Sequence, residues 1–468
     1  MKEFIGPDFL LNDETSRHLF HDVAEKLPIV DYHCHLSPKE IAEDRKFSDM
    51  ADLWLSGDHY KWRLMRADGV DERLITGDAP GKEKFRAYAK TLEKAIGNPL
   101  YDWSHLELQR YFGFHRPLTA ENADEVYGLC NEKLRSMSAR SLILASNVRL
   151  ICTTDDPADD LGWHKKIRDD RSFPVKVIPG FRPEKATDIR DEGYLDYLET
   201  LSKASGINID SLPSLKKALA DRISYFAENG CVLSDHSFPT VPTVIVSDEV
   251  ADRIFDRRLK GEPISEEEAG LFDGNLMVFL AKAYAERGWA MQLHYGVRRN
   301  ANSLLYHGFG RDVGGDCINA HSADGDLAAF LDACLLNGGL PKTIVYSLNP
   351  NDDAYIDSVL GCFQGLGQGY LQHGAAWWFN DSRVGIRHHL DSLSSGGLLG
   401  DFIGMLTDSR SFVSYPRHEY FRRVLCSYIG EKVEEGSYPN DAPALEKLVR
   451  GISYENAVRY FGFDVPLD

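Results

Sequence analysis

The strongest local chemical signal in the chain is Asp31-Tyr32-His33-Cys34-His35. In extended backbone, residues i and i+2 face the same side, so His33 and His35 can aim two imidazoles at one point. Neutral imidazole is a good ligand for zinc, manganese or iron. The pattern alone is cheap, because 16 histidines in 468 positions produce His-x-His by chance about 0.5 times. Its weight comes from its place, at the end of an apolar run and directly before a long insertion. The competing reading is a pair of hydrogen-bonded structural histidines. A second signal is Asp408-Ser409-Arg410, whose acid and guanidinium share a side by the same alternation. Its bland reading is a local ion pair of small worth. His59-Tyr60 taken alone reads as structural.

These residues need elements to carry them. Eight short apolar runs, at 28–37, 149–156, 175–184, 230–239, 288–297, 341–350, 374–382 and 401–410, end in polar or small residues. Most are apolar throughout, as parallel strands buried on both faces require. Helical patterns separate them. Leu215, Leu219, Ile223 and Phe226 keep a helical spacing up to Asn229-Gly230, and Ser265 with Glu268 forms a capping-box signal. Strands alternating with helices predict an α/β fold, a (β/α)8 TIM-type barrel forming one domain over 1–468. The alternative is an open doubly wound sheet, whose phosphate loops are missing from the sequence. Residues 37–148 exceed any ordinary barrel loop and predict a helical insertion over the mouth, with Trp54 to Met65 and Thr119 to Leu144 helical. Residues 411–468 predict C-terminal helices.

In such a barrel the chemistry collects at the C-terminal strand ends. Here those ends carry His33 and His35, Thr153 to Asp156, Arg182, Asp235-His236, His294, Asn349, Asn380-Asp381, and Asp408 with Arg410. Closure sets the first and last strands side by side, so Asp408 can join the two histidines.

Composition narrows the classes. There are 53 basic and 72 acidic residues, a net charge of −19, so attraction to nucleic acid or an anionic membrane is not expected. No stretch approaches the ~20 apolar residues of a membrane span, and the N-terminus lacks a secretory pattern. The eight cysteines are scattered singly and read as reduced thiols, which predicts a cytoplasmic protein.

Taken in order, a series of segments resembles the uronate isomerase (glucuronate isomerase) family of the amidohydrolase superfamily. They are DYHCHLSP at 31–38, WLSGDHYKWRLMRADGV at 54–70, LYDWSHLELQRYFG at 100–113, TTDDP at 153–157, IPGFRPEKA at 178–186, SDH at 234–236, MQLHYGVRRNAN at 291–302, WWFNDSRVGI at 377–386 and MLTDSRSFVSYPRHEYFRRVLC at 405–426. The resemblance implies interconversion of D-glucuronate with D-fructuronate, and of D-galacturonate with D-tagaturonate, through a cis-enediol. It places one divalent metal on His33, His35 and Asp408, and brings His59, Tyr60 and Arg410 to the site. Zinc is the first expectation, and two histidines with an aspartate also accept manganese, iron or cobalt.

The chemistry then suggests roles. Asp408 is the candidate carbon-acid base, Tyr60 and Arg410 the groups at the C1 carbonyl, and His59 an orienting donor. Arg182 is the candidate clamp for the hexuronate carboxylate, with Arg298, Arg410 and Arg417 competing. His294 is a candidate metal ligand or hydroxyl contact, and His236 reads equally well as a polar support. Trp377 and Trp378 fit barrel core better than a sugar platform, with Trp378 kept as a candidate substrate contact. His388-His389 reads as an exposed helix pair, and Asp352-Asp353 and Glu266 to Glu268 as solvated faces. A homo-oligomer is compatible with all of this. The rivals are a metal-dependent hydrolase or lactonase on the same barrel, and a non-catalytic sugar-binding protein.

Overall fold

The computed structural model describes residues 2–322 and 325–467. Its strands are β1 (Ile29–Asp31), β2 (Val148–Cys152), β3 (Lys176–Ile178), β4 (Leu233–Phe238), β5 (Ala290–Tyr295), β6 (Val297–Arg298), β7 (Cys317–Ile318), β8 (Lys342–Ser347) and β9 (Leu371–His373). β1-β2-β3 and β4-β5-β8-β9 are parallel runs. Single bridges from Asp155 to Phe181 and from Phe181 to Ser234 join them. β6 and β7 form a small antiparallel ribbon in the loop that follows β5.

The segment 401–410 closes the circuit without becoming a regular strand. The Asp408 N–H donates to the His33 carbonyl (3.2 Å), and the His35 N–H donates to the Ser409 carbonyl (2.9 Å). Between these rungs and the strand below, the Asp31 carboxylate accepts the Thr407 N–H at 2.9 Å and so replaces a backbone partner. Gly404 and Asp408 have φ of 80° and 45°, which breaks the pleat on either side. On the far edge the Gln372 amide donates to the Asp401 carbonyl (3.0 Å). The expected barrel is therefore present, and the open sheet is not.

The seventh strand differs from expectation. It is β9, just before the run 374–382, and that run leaves the sheet to fold into a loop with a short turn at Trp378–Asn380. The chain leaves the sheet at Gly374, packed so closely that a Cβ would lie 2.1 Å from the Tyr346 ring. Trp378 then adopts φ of 52°. The run is apolar because the loop packs across the inside of the barrel.

Along the strands the period of two sorts side chains. In β5, Met291, Leu293 and Tyr295 pack against the helical layer, while Ala290 joins the interior with Val30, Leu150 and Ile344. Inward Gln292 accepts the Tyr346 hydroxyl (3.0 Å). The helical signals hold where they are local. The helix Leu212–Glu228 ends at Asn229, followed by Gly230 at φ 91°. The Ser265 hydroxyl and the Glu268 side chain cap the helix Glu266–Ala285 reciprocally.

Residues 37–148 hold seven α-helices and a short 3-10 turn at Glu72–Leu74. The helix expected over Trp54 to Met65 is two, Met50–Leu55 and His59–Ala67, because Asp58 turns to cap the second through the Tyr60 and Lys61 N–H groups (3.0 and 3.2 Å). The region from Thr119 to Leu144 likewise forms Ala123–Leu134 and Ala139–Ala145. After Arg410 come Pro416–Glu434, Ala442–Arg450 and Asn456–Phe461. Buried Arg422 ties the first of these to the carbonyls of Ala24, Leu27, Pro28 and Ser453. Among the described residues no helix is long and apolar enough to cross a membrane.

Two surface expectations are overturned. Asp352 and Asp353 are buried. Asp352 accepts the Ser347 hydroxyl (2.6 Å), and Asp353 accepts from His388 (3.0 Å). His388 is exposed as expected, but its neighbour His389 is buried against His373 and Phe402. A helix exposes one face only, and the residue after an exposed one is turned by ~100° towards the core.

Candidate active site

His33 and His35 leave β1 on its C-terminal side, and the closing segment lays Asp408 against them. Asp408 Oδ1 lies 3.3 Å from His33 Nε2 and 3.0 Å from His35 Nε2. The other oxygen, Oδ2, accepts the Trp377 indole N–H at 2.9 Å. Burial works against the Asp408 charge, but hydrogen bonds from the two histidines outweigh it and hold the carboxyl well below the usual range. The left-handed backbone at Asp408 is a strained conformation for a residue with a Cβ, held here by rungs on both sides. One donor atom from each of His33, His35 and Asp408 falls within 4.8 Å of the others. Two imidazoles and a carboxylate at that spacing fit a single divalent ion.

A second layer supports this cluster. His294 stacks on Tyr346 with ring centroids 4.2 Å apart and packs beside His33 at 4.9 Å. Its Nδ1 is 2.7 Å from Asp235 Oδ1, and its Nε2 is buried without a partner. Arg182 donates to the other Asp235 oxygen at 2.8 Å and to Glu184 at 2.7 Å. Although burial opposes its charge, Asp235 is held well below the carboxylate range by Arg182, His33 and His294. Burial pulls the His294 pKa down, which favours the neutral ring.

The helix His59–Ala67 supplies the opposite wall. His59 and Tyr60 stack on each other (4.8 Å), and His59 meets Trp378 edge to face (5.4 Å). Burial lowers the His59 pKa and raises that of Tyr60, so both are held neutral. Arg410 pairs with Asp312 at 3.2 Å. Arg299 pairs with Asp316 at 2.9 Å and lies over Trp378. The loop carrying these acids is tied to the His59–Ala67 helix, since Arg63 donates to the Asp316 carbonyl (2.6 Å) and Arg66 to that of Val313. His59, Tyr60, Arg299, Asp312, Asp316 and Arg410 border one cavity of about 970 Å³, which Asp408, His294, Arg182 and Trp378 also line.

Comparison with known proteins agrees with this geometry over nearly the whole chain. A sequence profile of the glucuronate isomerase family matches residues 1–461. The chain belongs to that family. A uronate isomerase of Lachnospira eligens is 55% identical over 468 residues, covering 99% of this chain and 100% of the relative. Among solved structures, a uronate isomerase from Thermotoga maritima superposes with a TM-score of 0.93 at 34% identity, covering 98% of this chain and 100% of that one. A glucuronate isomerase from Caulobacter crescentus gives 0.90 at 27% identity, covering 98% and 97%.

Within this family member, the residues singled out in the sequence meet at one place: His33, His35, His59, Tyr60, Arg182, His294, Trp378, Asp408 and Arg410 all border the cavity. Three candidates do not behave as expected. His236 faces the helical layer against Tyr284 and Phe238, where burial lowers its pKa to about 3. Arg298 is exposed and absent from the cavity lining. Trp377, read chiefly as core, contacts Asp408 directly. Sequence reasoning passed over Arg299, Asp312 and Asp316, and gave Asp235 no role. For Asp235 a signal existed, because alternation along β4 turns it inward when it turns His236 outward. Arg299 lies within the segment MQLHYGVRRNAN, whereas Asp312 and Asp316 fall outside every segment read from the sequence.

Proposed function

We propose that this chain is an aldose–ketose isomerase that interconverts D-glucuronate and D-fructuronate, with D-galacturonate and D-tagaturonate as a second pair. The observation that carries the reading is the convergence of the His33–His35–Asp408 cluster with Tyr60, Arg182 and Arg410 on one cavity, in a full-length member of this family. A divalent ion held by His33, His35 and Asp408, with zinc as first choice, would supply Lewis-acid polarisation of substrate oxygens. Asp408 takes the proton from C2 of the open-chain aldehyde. The C–H electron pair forms the C1=C2 bond, and the carbonyl electrons move to O1. The Tyr60 hydroxyl and the Arg410 guanidinium stand where that charge develops, and Tyr60 passes a proton between O2 and O1. Asp408 then returns its proton to C1. A carboxylate is a weak base for a carbon acid, so the reaction depends on acidification of the substrate.

Arg182, held by Asp235 and Glu184, is assigned to the substrate carboxylate, and His59 to the sugar hydroxyls. His294 presents its free Nε2 towards a hydroxyl. Trp378 forms one wall. We read residues 37–148 as a cap inserted into a single barrel domain, and 411–468 as helices that brace it. Eight unpaired cysteines support a cytoplasmic enzyme. A hydrolase or lactonase on the same scaffold has less support, since the full-length relatives are isomerases. The test is proton NMR of D-glucuronate with the metal-loaded protein in D2O. Appearance of fructuronate is expected. Absence of conversion of both hexuronates by folded, metal-loaded protein refutes the reading.

A further inference from the structure

Arg417 occupies a position that neither its helix nor an ion pair accounts for. It stands in the first turn of Pro416–Glu434, where the helix dipole disfavours a cation. It is only 3% exposed. Asp58, Asp381 and Glu107 surround it electrostatically, but Asp58 pairs instead with Lys61 at 2.7 Å. Among the described residues no carboxylate forms an ion pair with Arg417, and its Nε is buried without a partner. What it does touch is specific. Its guanidinium lies 4.1 Å over the Trp103 ring and 5.5 Å over the Tyr60 ring. One Nη donates to the Thr407 carbonyl at 3.1 Å, and Thr407 is the residue before Asp408.

A single rigid, planar cation therefore joins the insertion helix that carries Tyr60 to the closing segment that carries Asp408. Arg417 also borders the cavity, and we infer from its stacking on Tyr60 and its bond beside Asp408 that it is a positioning residue for the isomerisation, fixing the Tyr60 ring relative to Asp408. This rests on the isomerase reading above. A guanidinium suits the task because its faces stack on aromatic rings while its edge still donates a hydrogen bond, which an ammonium cannot combine in the same way.

The test is a double-mutant cycle on kcat with Arg417→Met, Tyr60→Phe and the double variant, each metal-loaded and assayed on D-glucuronate. Tyr60→Phe is expected to lower kcat by ~10². Misplacement of a reacting group by about 1 Å costs ~10² in rate, so Arg417→Met is expected to lower kcat by a similar factor. KM should stay within about threefold. In the Tyr60→Phe background the same substitution should lower kcat by less than about threefold, because the group it positions is already gone. Multiplication of the two effects overturns the inference, as does a large rise in KM with kcat preserved, which would make Arg417 a substrate clamp. Arg417→Lys keeps the charge and most of the volume, and carries the same cycle if the methionine variant does not fold. It should remain at least ~10-fold below wild type, and wild-type kcat in the lysine variant also overturns the inference. If wild-type protein converts no hexuronate, the isomerase reading has failed, which is a different result from an additive cycle in an active enzyme.

Discussion

Asp235→Asn removes the anion on which Arg182 and His294 both rest. The carboxylate is buried, and its oxygens engage Arg182 at 2.8 Å and His294 at 2.7 Å. Asparagine keeps the shape but has only one acceptor. If its oxygen faces Arg182, its amide N–H₂ faces His294 Nδ1 and forces the imidazole proton onto Nε2. If it faces His294, two donors oppose each other at Arg182. Hydrogen bonds to charged groups contribute ~1.5–3 kcal/mol each, and stripping one partner from a buried pair costs ~3–5 kcal/mol. Glu184, half-exposed, keeps part of the Arg182 interaction, so we take the low end, ~3 kcal/mol. At ~2.1 cal/mol/K per residue, a chain of this length has an unfolding entropy of ~1 kcal/mol/K, which converts the loss into a fall in Tm of ~3 °C. Differential scanning calorimetry reads that shift. The unanchored Arg182 should also raise KM for glucuronate by ~10-fold or more. A Tm within about 0.5 °C of wild type together with an unchanged KM would refute the claim that Asp235 organises the substrate-facing side of the site.

Three further perturbations test other parts of the structure. Asp408→Asn should nearly abolish turnover while circular dichroism shows an intact fold; wild-type turnover would sink its assignment as the base. Gly374→Ala places a methyl 2.1 Å from the Tyr346 ring, which stacks on His294. It should cost ~1–3 kcal/mol and reduce activity, and a thermal melt and rate indistinguishable from wild type would show that Tyr346 moves aside freely. Glu107 is buried with one oxygen unpaired, and burial raises its pKa from 4.5 to about 7. A carboxyl whose folded pKa lies above its unfolded one favours the native state when protonated, so its presence costs stability as pH rises from 4.5 through about 7. Glu107→Gln should therefore be near neutral at pH 4.5 and stabilising by an amount on the order of 3 kcal/mol at pH 8, and a Tm difference that does not change with pH would contradict it.

Much of the scaffold was legible because its signals are local. Six of the eight apolar runs contain strands where their composition put them, since a strand buried on both faces needs little but apolar side chains. The Ser265 capping box and the Asn229-Gly230 stop are written in neighbouring residues and appear as read. The seventh run misled because a loop across the barrel interior has the same composition as a strand within it. The eighth does run beside β1, but as irregular extended backbone, because the Asp31 side chain takes the place of a rung.

The site divides along the same line. His33 and His35 were readable as a pair because alternation alone sets them on one side, and the ordered series of motifs carried His59, Tyr60 and Asp408 with them. Contacts between elements were not readable. Nothing within 303–318 signals that Asp312 and Asp316 reach the cavity, or that the loop is tied to the His59–Ala67 helix. Nothing around 377 signals that the Trp377 indole bonds to Asp408, or around 417 that one arginine lies between Trp103 and Tyr60. Residue type and period determined which groups were available, through strand alternation, helix capping and ligand chemistry. Ring closure decided which of them meet, because that spacing depends on every strand and loop between them in the circuit.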